Sequence, residues 1–370
     1  MGASPSPPPN GFTDVNHQRF LEVRFFGSLD GLRCLSILAV VWHHAWRHHG
    51  HTDRTGLLDR GHLGVSLFFA ISGFLITTLI LRELREHGEF SLRRFYMRRS
   101  LRIFPLYYSV LLVYVTAVWV LDRHTSAGKQ FYDNLPYFAS YTSNWFVQLD
   151  GRVIFYFAWS LATEEQFYLF WPFIEKAFKG RSLAVVAMCV LVATSIAASS
   201  GLLNSALGTN SFPLTVLDSI STPICLGVLA AHLLHSPAGF RIASKFAYPR
   251  YASLAWAGAV LVLAALPELH EIPIAMAMAG LVTSCVIRED NSLSALLKFG
   301  PAQAIGKVSY GMYLMHMLCM NLAAKILSKL HINNSLTLFA LASGIAFTAA
   351  WLSFNYYESF FLRLKKRFSS

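Results

Sequence analysis

The chain has 370 residues, of which 54% are hydrophobic and only 14% charged, and its mean hydropathy is +0.44. This composition is too apolar for a soluble globular protein and indicates a helical protein that crosses a membrane several times. A net charge of +11 can accompany nucleic-acid binding, but here the basic residues lie mostly in short clusters between apolar runs, as in cytoplasmic loops of membrane proteins. We therefore discount nucleic acid as a partner.

The first residues include the run Ser4-Pro-Ser-Pro-Pro-Pro9 and lack the charged and then apolar order of a signal peptide. We expect residues 1–28 to form a cytoplasmic tail that is partly disordered. The cysteines are scattered singly through apolar runs, so they predict packing rather than a disulfide framework or a metal site: Cys34, Cys189, Cys225, Cys285 and Cys319.

The first apolar run, residues 31–47, carries Arg33, His43 and His44. Arg33 and His44 are eleven residues apart, so in a helix they lie within ~20° of one face and ~16 Å apart along the axis. One helix then holds a permanent cation and a titratable base on one stripe. Ionisable side chains inside spans are functional by default, although an Arg at the interface and a His against a neighbouring helix are the structural alternative.

Ten runs approach the length needed to cross ~30 Å of hydrocarbon and predict an all-α polytopic protein with about ten transmembrane helices. We place them near residues 31–47, 63–82, 103–122, 157–177, 183–199, 214–233, 252–267, 272–287, 308–328 and 335–355. The segment Leu135–Val147 is short and contains Pro136, so we predict that it is re-entrant or interfacial. Residues 29–357 are expected to form one membrane domain, followed by a basic cytoplasmic tail, 358–370.

Basic residues are concentrated in the loop between Arg82 and Arg102, in the linker before Tyr251 and in the C-terminal tail. The positive-inside rule assigns all three segments to the cytoplasm. An even number of crossings satisfies this assignment with both termini inside.

The span that begins near residue 157 contains two adjacent carboxylates, Glu164 and Glu165. Each costs several kcal/mol in hydrocarbon unless it is paired or neutralised, so at least one should face a protein interior or a water-filled cavity. By helix rise both lie at a depth that matches His44, within ~10–12 Å of the outer boundary. A carboxylate that accepts a hydrogen bond from His44 would orient the imidazole as a general base. A structural pairing with an Arg of the basic loop is the alternative for one of the two.

The inner end of the first span carries Arg33, close to a cluster of arginines that opens the third span, Arg98, Arg99 and Arg102. Several guanidiniums there would bind phosphates through bidentate contacts. A plain positive-inside anchor explains Arg93 and Arg94 better than it explains Arg102. Other polar side chains in the spans are candidates for a site wall, although each alone is more often structural: Ser72, Tyr168, Asp218 and His316.

Five sequence elements together resemble the integral-membrane acyltransferase family three, whose bacterial members O-acylate carbohydrates and some macrolide antibiotics. The elements are the pair Arg33 and His44, Gly64 to Ile76, Arg98 to Tyr107, Trp159 to Tyr168 and Ser309 to His316. They occur in the family's order and span most of the chain. The family's usual ending Glu-x-Pro differs here, where the chain reads Glu358-Ser359-Phe360.

The resemblance implies an acyl-CoA donor, most simply acetyl-CoA, and a bacterial inner-membrane enzyme. Under this hypothesis the phosphates of CoA bind at the cytoplasmic mouth to Arg33, Arg98, Arg99 and Arg102. His44 is then the general base for an acceptor hydroxyl, with Glu164 or Glu165 orienting it. We see no Ser or Cys nucleophile beside a base, which favours direct transfer over an acyl-enzyme.

Two alternatives remain open at this point. The acceptor could be a macrolide or another small hydroxylated natural product rather than an exported or cell-surface polysaccharide or its lipid-linked precursor. The protein could also be a proton-coupled transporter, because intramembrane Arg, His and Glu can form a proton pathway, although no inverted repeat supports this.

Overall fold

The computed structural model describes residues 12–48, 50, 56–148, 153–180, 182–209, 211–268 and 271–365. Within these residues the regular elements are all helical, which confirms the predicted all-α class. A helix satisfies every backbone hydrogen bond within its own segment, as the bilayer requires. Of the predicted N-terminal tail, Phe12–Glu22 is helical, whereas Ser4–Pro9 lies outside the described residues, as do positions 366–370 of the C-terminal tail.

The helices of the first half, in chain order, are α1 (Phe12–Glu22), α2 (Gly27–His48), a 3₁₀ helix at Leu57–His62, α3 (Leu63–His87), α4 (Leu92–Leu121), α5 (Ser126–Ala139), α6 (Ser143–Phe146) and α7 (Ala158–Phe178). Local signals explain several boundaries. Ser91 caps α4 by accepting a hydrogen bond from the Arg94 backbone N–H at 3.3 Å. Gly88, in the left-handed region at φ 72°, ends α3.

The helices of the second half are α8 (Ser182–Ser199), α9 (Asn204–Leu207), α10 (Phe212–Asp218), α11 (Thr222–His235), α12 (Pro237–Ala247), α13 (Ala252–Ala265), α14 (Glu271–Ile287), α15 (Ser294–Leu297), α16 (Gly300–Lys307), α17 (Ser309–Lys329), α18 (Ser335–Leu352) and α19 (Ser359–Lys365). A π-helical turn, Ser353–Glu358, joins the last two. This turn carries Glu358 into a buried position.

The prediction of ten crossings is not confirmed. Among the described residues, four helical stretches are long and apolar enough to cross a membrane, namely Leu57–His87, Leu92–Leu121, Ser182–Ser199 and Ser335–Leu364. The number rises to six if two bent helix pairs, α1 with α2 and α10 with α11, each form one span. The other predicted spans are not among these helices, for different reasons. α13 and α14 have only 14 and 17 residues, whereas α7 and α17 carry polar side chains that line cavities.

Helix α2 lies at the centre of the fold, where it packs against α3, α14, α16, α17 and α18. Its apolar side chains, such as Leu32, Ile37 and Val41, are fully buried. Burying such side chains fixes the rotation of the helix about its axis. The polar side chains of α2 are therefore held in defined directions.

Gly73 of α3 forms a close contact with α11. A Cβ atom at this position would collide with the carbonyl oxygen of Ile224 on α11. Gly227 of α11 makes the reciprocal approach to the Ala70 carbonyl oxygen on α3. Small residues let the two backbones come together, as is common between membrane helices. This contact seats α3 beside α11, and the neighbouring Ser72 faces Glu164 of α7.

The predicted re-entrant segment Leu135–Val147 does not form a single helix. It is divided between α5 and α6, which are separated by Tyr141 with a φ of 54°. The segment is tied to α7 by the amide of Asn144, which donates to Gln166 at 2.9 Å. It therefore supports the first half of α7.

Candidate active site

A cavity of about 100 Å³ is lined by side chains from α2, α3, α4, α7 and α17. We call it the inner cavity. It brings together most of the predicted site residues, namely Arg33, Ser72, Arg99, Arg102, Glu164, Glu165 and Tyr168. The remaining wall is mainly apolar or hydroxylated and includes Val65, Phe68, Phe69, Ile103, Ser160, Leu161, Ser309, Tyr310 and Tyr313.

Three guanidinium groups face the inner cavity from two helices. Arg33 of α2 is paired with Asp30, whose Oδ1 lies 2.7 Å from Arg33 Nη1. Arg99 of α4 lies over the ring of Tyr168, 4.8 Å from its centroid. Arg102 lies within electrostatic reach of both other guanidiniums. Like charges held this close repel one another, so a bound anion with several negative oxygens would be stabilised among them.

The carboxylate of Glu164 is held by two hydroxyl groups. It accepts hydrogen bonds from Ser72 on α3 and from Tyr168 one turn along α7, the latter at 2.5 Å. Glu165 lines the same cavity. The sequence predicted that at least one carboxylate would avoid lipid, and both do so by facing the inner cavity.

A second and larger cavity, with a volume of about 1500 Å³, opens beside the carboxyl end of α2. We call it the outer cleft. Its polar lining side chains come from α2, α4, α17 and the segments that precede α3 and α7, and include His43, His44, Arg47, His48, His62, Asp122, Tyr156, Asn321, Lys325, Ser328 and Lys329. This volume can hold a ligand larger than a typical drug-sized molecule, which occupies ~300–1,000 Å³.

His44 stands on the wall of the outer cleft and contacts Tyr156, His316 and the adjacent His43, whose ring centroid lies 5.2 Å away. The Tyr156 hydroxyl lies 2.9 Å from His44 Nδ1 and 3.3 Å from Nε2. On the other side the imidazole stacks on His316, with 5.0 Å between ring centroids. The predicted hydrogen bond to Glu164 or Glu165 is not formed, because these carboxylates face the inner cavity. Tyr156 is the hydrogen-bond partner of His44, the role that the sequence analysis assigned to a carboxylate.

The two cavities meet at Val65 and Tyr313, which line both of them. Tyr313 is fixed by its hydroxyl, which lies 2.6 Å from Ser160 Oγ and donates to the Phe157 carbonyl at 3.3 Å. Phe68 packs edge-on against the Tyr313 ring, with centroids 6.4 Å apart. We call this narrow point the constriction. A ligand arm that enters from the arginines must pass it to reach His44.

Three predicted site residues lie outside the cavity walls. Arg98 is turned toward α3, where its Nη2 lies 3.0 Å from Glu83 Oε2, so it belongs to an ion pair rather than to the arginine group of the inner cavity. Asp218 is exposed at the end of α10. His316 is fully buried behind His44, with its Nδ1 bonded to the Tyr313 carbonyl.

Sequence reasoning did not single out several polar residues of the site, among them Asp30 and Tyr156. The spacing could have indicated Asp30, because it lies three residues before Arg33 and residues i and i+3 are neighbours on a helix. No sequence pattern indicated Tyr156, because it lies in a non-helical segment before α7, where no periodicity predicts which way a side chain points.

A family model described as an acyltransferase domain matches residues 26–355. The chain belongs to this acyltransferase family. The match covers all five elements of the resemblance and confirms it. The two cavities described above thus lie within the matched acyltransferase domain.

Curated relatives point to the same chemistry. The acyltransferase domain is 28% identical over 319 residues to a protein named putative peptidoglycan O-acetyltransferase YrhL from Bacillus subtilis, a match that covers 79% of this chain and 48% of the relative. It is 31% identical over 163 residues to the peptidoglycan O-acetyltransferase OatA of Listeria monocytogenes, covering 40% of this chain and 24% of the relative. A putative O-acetyltransferase of Staphylococcus aureus, SACOL0978, is 33% identical over 171 residues, which are 44% of this chain and 26% of that protein.

The chain spans less than half the length of these curated relatives. No solved structure matches this fold. None of the three relatives is named as a transporter or as a macrolide-modifying enzyme, so these two alternatives gain no support. In the described part of the acyltransferase domain, no group of three or more His, Cys, Asp or Glu side chains could hold a metal ion.

Proposed function

We propose that this acyltransferase moves an acetyl group from acetyl-CoA to a hydroxyl of a carbohydrate, with peptidoglycan glycan strands as the leading acceptor. The observation that carries the proposal is the junction of the two cavities. An arginine-lined inner cavity meets a wide, His44-bearing cleft at one narrow point. The acetyl group and the glycan acceptor are supported by the names of the curated relatives.

The donor would bind through the guanidiniums of Arg33, Arg99 and Arg102. Guanidiniums bind phosphate oxygens in pairs, and CoA carries several phosphate groups. Arg33 and His44 are separated by ~16 Å of helix, a length that the extended pantetheine arm of CoA can span. The inner cavity, with about 100 Å³, is too small for the nucleotide. The nucleotide would therefore remain at the mouth of the cavity.

His44 would act as the general base of the transfer. A proton that leaves the acceptor hydroxyl goes to the free imidazole nitrogen as the hydroxyl oxygen attacks the thioester carbonyl carbon. The new C–O bond forms, the C–S bond breaks, and the CoA sulfur takes up a proton. When Nδ1 carries a hydrogen and donates to the Tyr156 oxygen, Nε2 is left free for this task. Direct transfer needs no covalent intermediate on the protein.

The proposed setting is the cytoplasmic membrane of a bacterium. The positive-inside rule puts the Arg82–Arg102 loop, and with it the mouth of the inner cavity, in the cytoplasm. The outer cleft then faces the opposite side, where exported glycans are found. Donor and acceptor would approach His44 from opposite sides of the membrane, and the constriction would separate them.

The test is to incubate the purified acyltransferase with acetyl-labelled acetyl-CoA and soluble peptidoglycan fragments, and then to identify the labelled product by mass spectrometry. We expect O-acetylated sugar, and a loss of roughly 10²-fold or more in His44→Ala, the size of general-base catalysis. His43→Asn is the matched control, because its amide can replace the contact of His43 Nδ1 with the Asp59 carbonyl at 3.0 Å. Failure of folded wild-type protein to label any glycan would contradict the proposal, as would equal losses in both variants.

A further inference from the structure

One wall of the outer cleft is a polar stripe on the last two turns of α17. Its members lie within ~100° of one another around the helix axis, so they share one face, and all of them line the cleft, namely Asn321, Lys325, Ser328 and Lys329. All four side chains are exposed. The opposite face of α17 is apolar and buried, with Ala323 and Leu327 packed in the core. The stripe is therefore presented to the cleft by a fixed helix.

The charges on the cleft wall are predominantly positive. Lys325 and Lys329 from α17 are joined by Arg47, one turn beyond His44 on α2. Among the described lining residues, Asp122 is the only carboxylate. Within the described part of the chain, neither lysine forms an ion pair with a carboxylate. A concave wall with one sign of charge raises the local concentration of ligands of the opposite sign.

The usual reasons for lysine at the end of a membrane helix do not account for this pair. Lys329 can interact with the carbonyl groups at the end of α17, but Lys325 lies a full turn earlier. In the proposed orientation this is the outer end of the helix, where the positive-inside rule predicts few cations. Because both lysines line the cleft that holds His44, recognition of a ligand explains them better than anchoring does.

We propose that the outer cleft binds an anionic acceptor, a glycan that carries carboxylate groups, through Lys325, Lys329 and Arg47. This inference rests on the proposed function and narrows its acceptor to a charged glycan. Lysine ammonium groups act as mobile point charges, so they would attract the carboxylates without fixing their geometry. The carboxylates would be drawn to the rim, while a sugar hydroxyl is presented to His44 deeper in the wall.

The experiment compares two acceptors that differ only in charge. One is a peptide-free peptidoglycan tetrasaccharide with two free lactyl carboxylates, and the other is the same tetrasaccharide with both carboxylates amidated. Acetyl transfer from acetyl-CoA is measured with wild type, Lys325→Gln, Lys329→Gln, the double variant and Lys129→Gln. The last variant is the matched control, because Lys129 is an exposed lysine of α5 that does not line the cleft.

We expect each cleft variant to raise the KM for the carboxylate glycan about threefold, and the double variant about tenfold, in line with exposed charge pairs. The KM for the amidated glycan and the value of kcat should stay unchanged, and Lys129→Gln should change neither KM. Added salt should raise the KM of wild type for the carboxylate glycan only.

Two results would overturn the inference, and they are distinguishable. If the acyltransferase acetylates both glycans with equal KM values, or if the lysine variants impair both glycans equally, the anionic acceptor is wrong while the proposed function stands. If wild type acetylates neither glycan, the proposed function fails and this inference fails with it.

Discussion

The side chains of Arg98, Arg99 and Arg102 follow one another on α4 but have different partners. Arg98 pairs with Glu83 of α3, whereas Arg99 and Arg102 enter the inner cavity. Arg99 points ~100° away from Arg98 around the helix, whereas Arg102 lies on nearly the same side as Arg98 but one turn, ~6 Å, further along the axis. The same type of side chain is thus structural at one position and available to a ligand at the next two.

This difference leads to a test of donor binding. Arg33→Lys and Arg102→Lys should each weaken acetyl-CoA binding roughly tenfold, because an ammonium group cannot make the two-pronged contact that a guanidinium makes with phosphate. Arg98→Lys should bind almost normally, since lysine can still pair with Glu83. The measurement is isothermal titration calorimetry of detergent-solubilised protein. Unchanged acetyl-CoA binding in both Arg33→Lys and Arg102→Lys would mean that the donor binds elsewhere.

Tyr156 is the second side chain whose role can be isolated. If its hydroxyl orients His44, Tyr156→Phe should lower kcat about tenfold and leave the KM for acetyl-CoA unchanged. This loss is smaller than the ~10²–10⁴-fold of general-base catalysis, because the imidazole itself remains. Tyr132→Phe is the matched control, because that hydroxyl donates to the Val115 carbonyl at 2.8 Å and does not line the outer cleft. A normal kcat in Tyr156→Phe, or an equal loss in both variants, would remove this role. Steady-state kinetics on the same glycan acceptor decide between these results.

Among the helices, the lateral neighbours were not predictable from sequence. Helix rise placed Glu164 and Glu165 at the depth of His44, yet the carboxylates face Ser72 and Tyr168 in a different cavity. Depth follows from residue count alone, whereas which helix stands beside which depends on the packing of the whole bundle. The Arg98 assignment failed for the same reason.

The ends and breaks of helices were predictable only in part. The predicted span 214–233 is two helices, α10 and α11, bent by 53° at a break near Ser221. Pro223 in the first turn of α11 signals this start, because proline favours the beginning of a helix. The π-helical turn Ser353–Glu358 has no comparable signal. It follows α18 directly, so the predicted span 335–355 extended into it.

The packing of α3, α7 and α17 sets the width of the constriction. This width should limit the length of the acyl chain that can be transferred. Val65→Ala should widen the constriction and raise the rate with butyryl-CoA relative to acetyl-CoA by roughly tenfold, the scale on which apolar pockets discriminate one or two methylene groups. Val40→Ala is the matched control, because Val40 lines the outer cleft but not the inner cavity. The measurement is the ratio of kcat/KM for the two donors. An unchanged ratio in Val65→Ala would mean that the acyl group does not pass this point.

The two cavities lie toward opposite ends of α2. Arginines cluster around the inner cavity and its loop, while the outer cleft opens at the far end of α2. An even number of crossings with both termini in the cytoplasm is the arrangement that the positive-inside rule favours. It puts Glu89, in the turn between α3 and α4, on the cytoplasmic side and Lys129 of α5 on the opposite side.

Cysteine labelling of intact cells tests this orientation. Both Glu89 and Lys129 are exposed in the structure, so a cysteine at either position should react with any maleimide that reaches it. Because Cys189 is also exposed, both variants are made in a Cys189→Ser background. A membrane-impermeant maleimide should label Lys129→Cys and leave Glu89→Cys unlabelled until the cells are broken open. The reverse labelling pattern would show that the molecule has the opposite orientation, with the arginines away from cytoplasmic CoA. Transfer from acetyl-CoA in the proposed direction could then not occur.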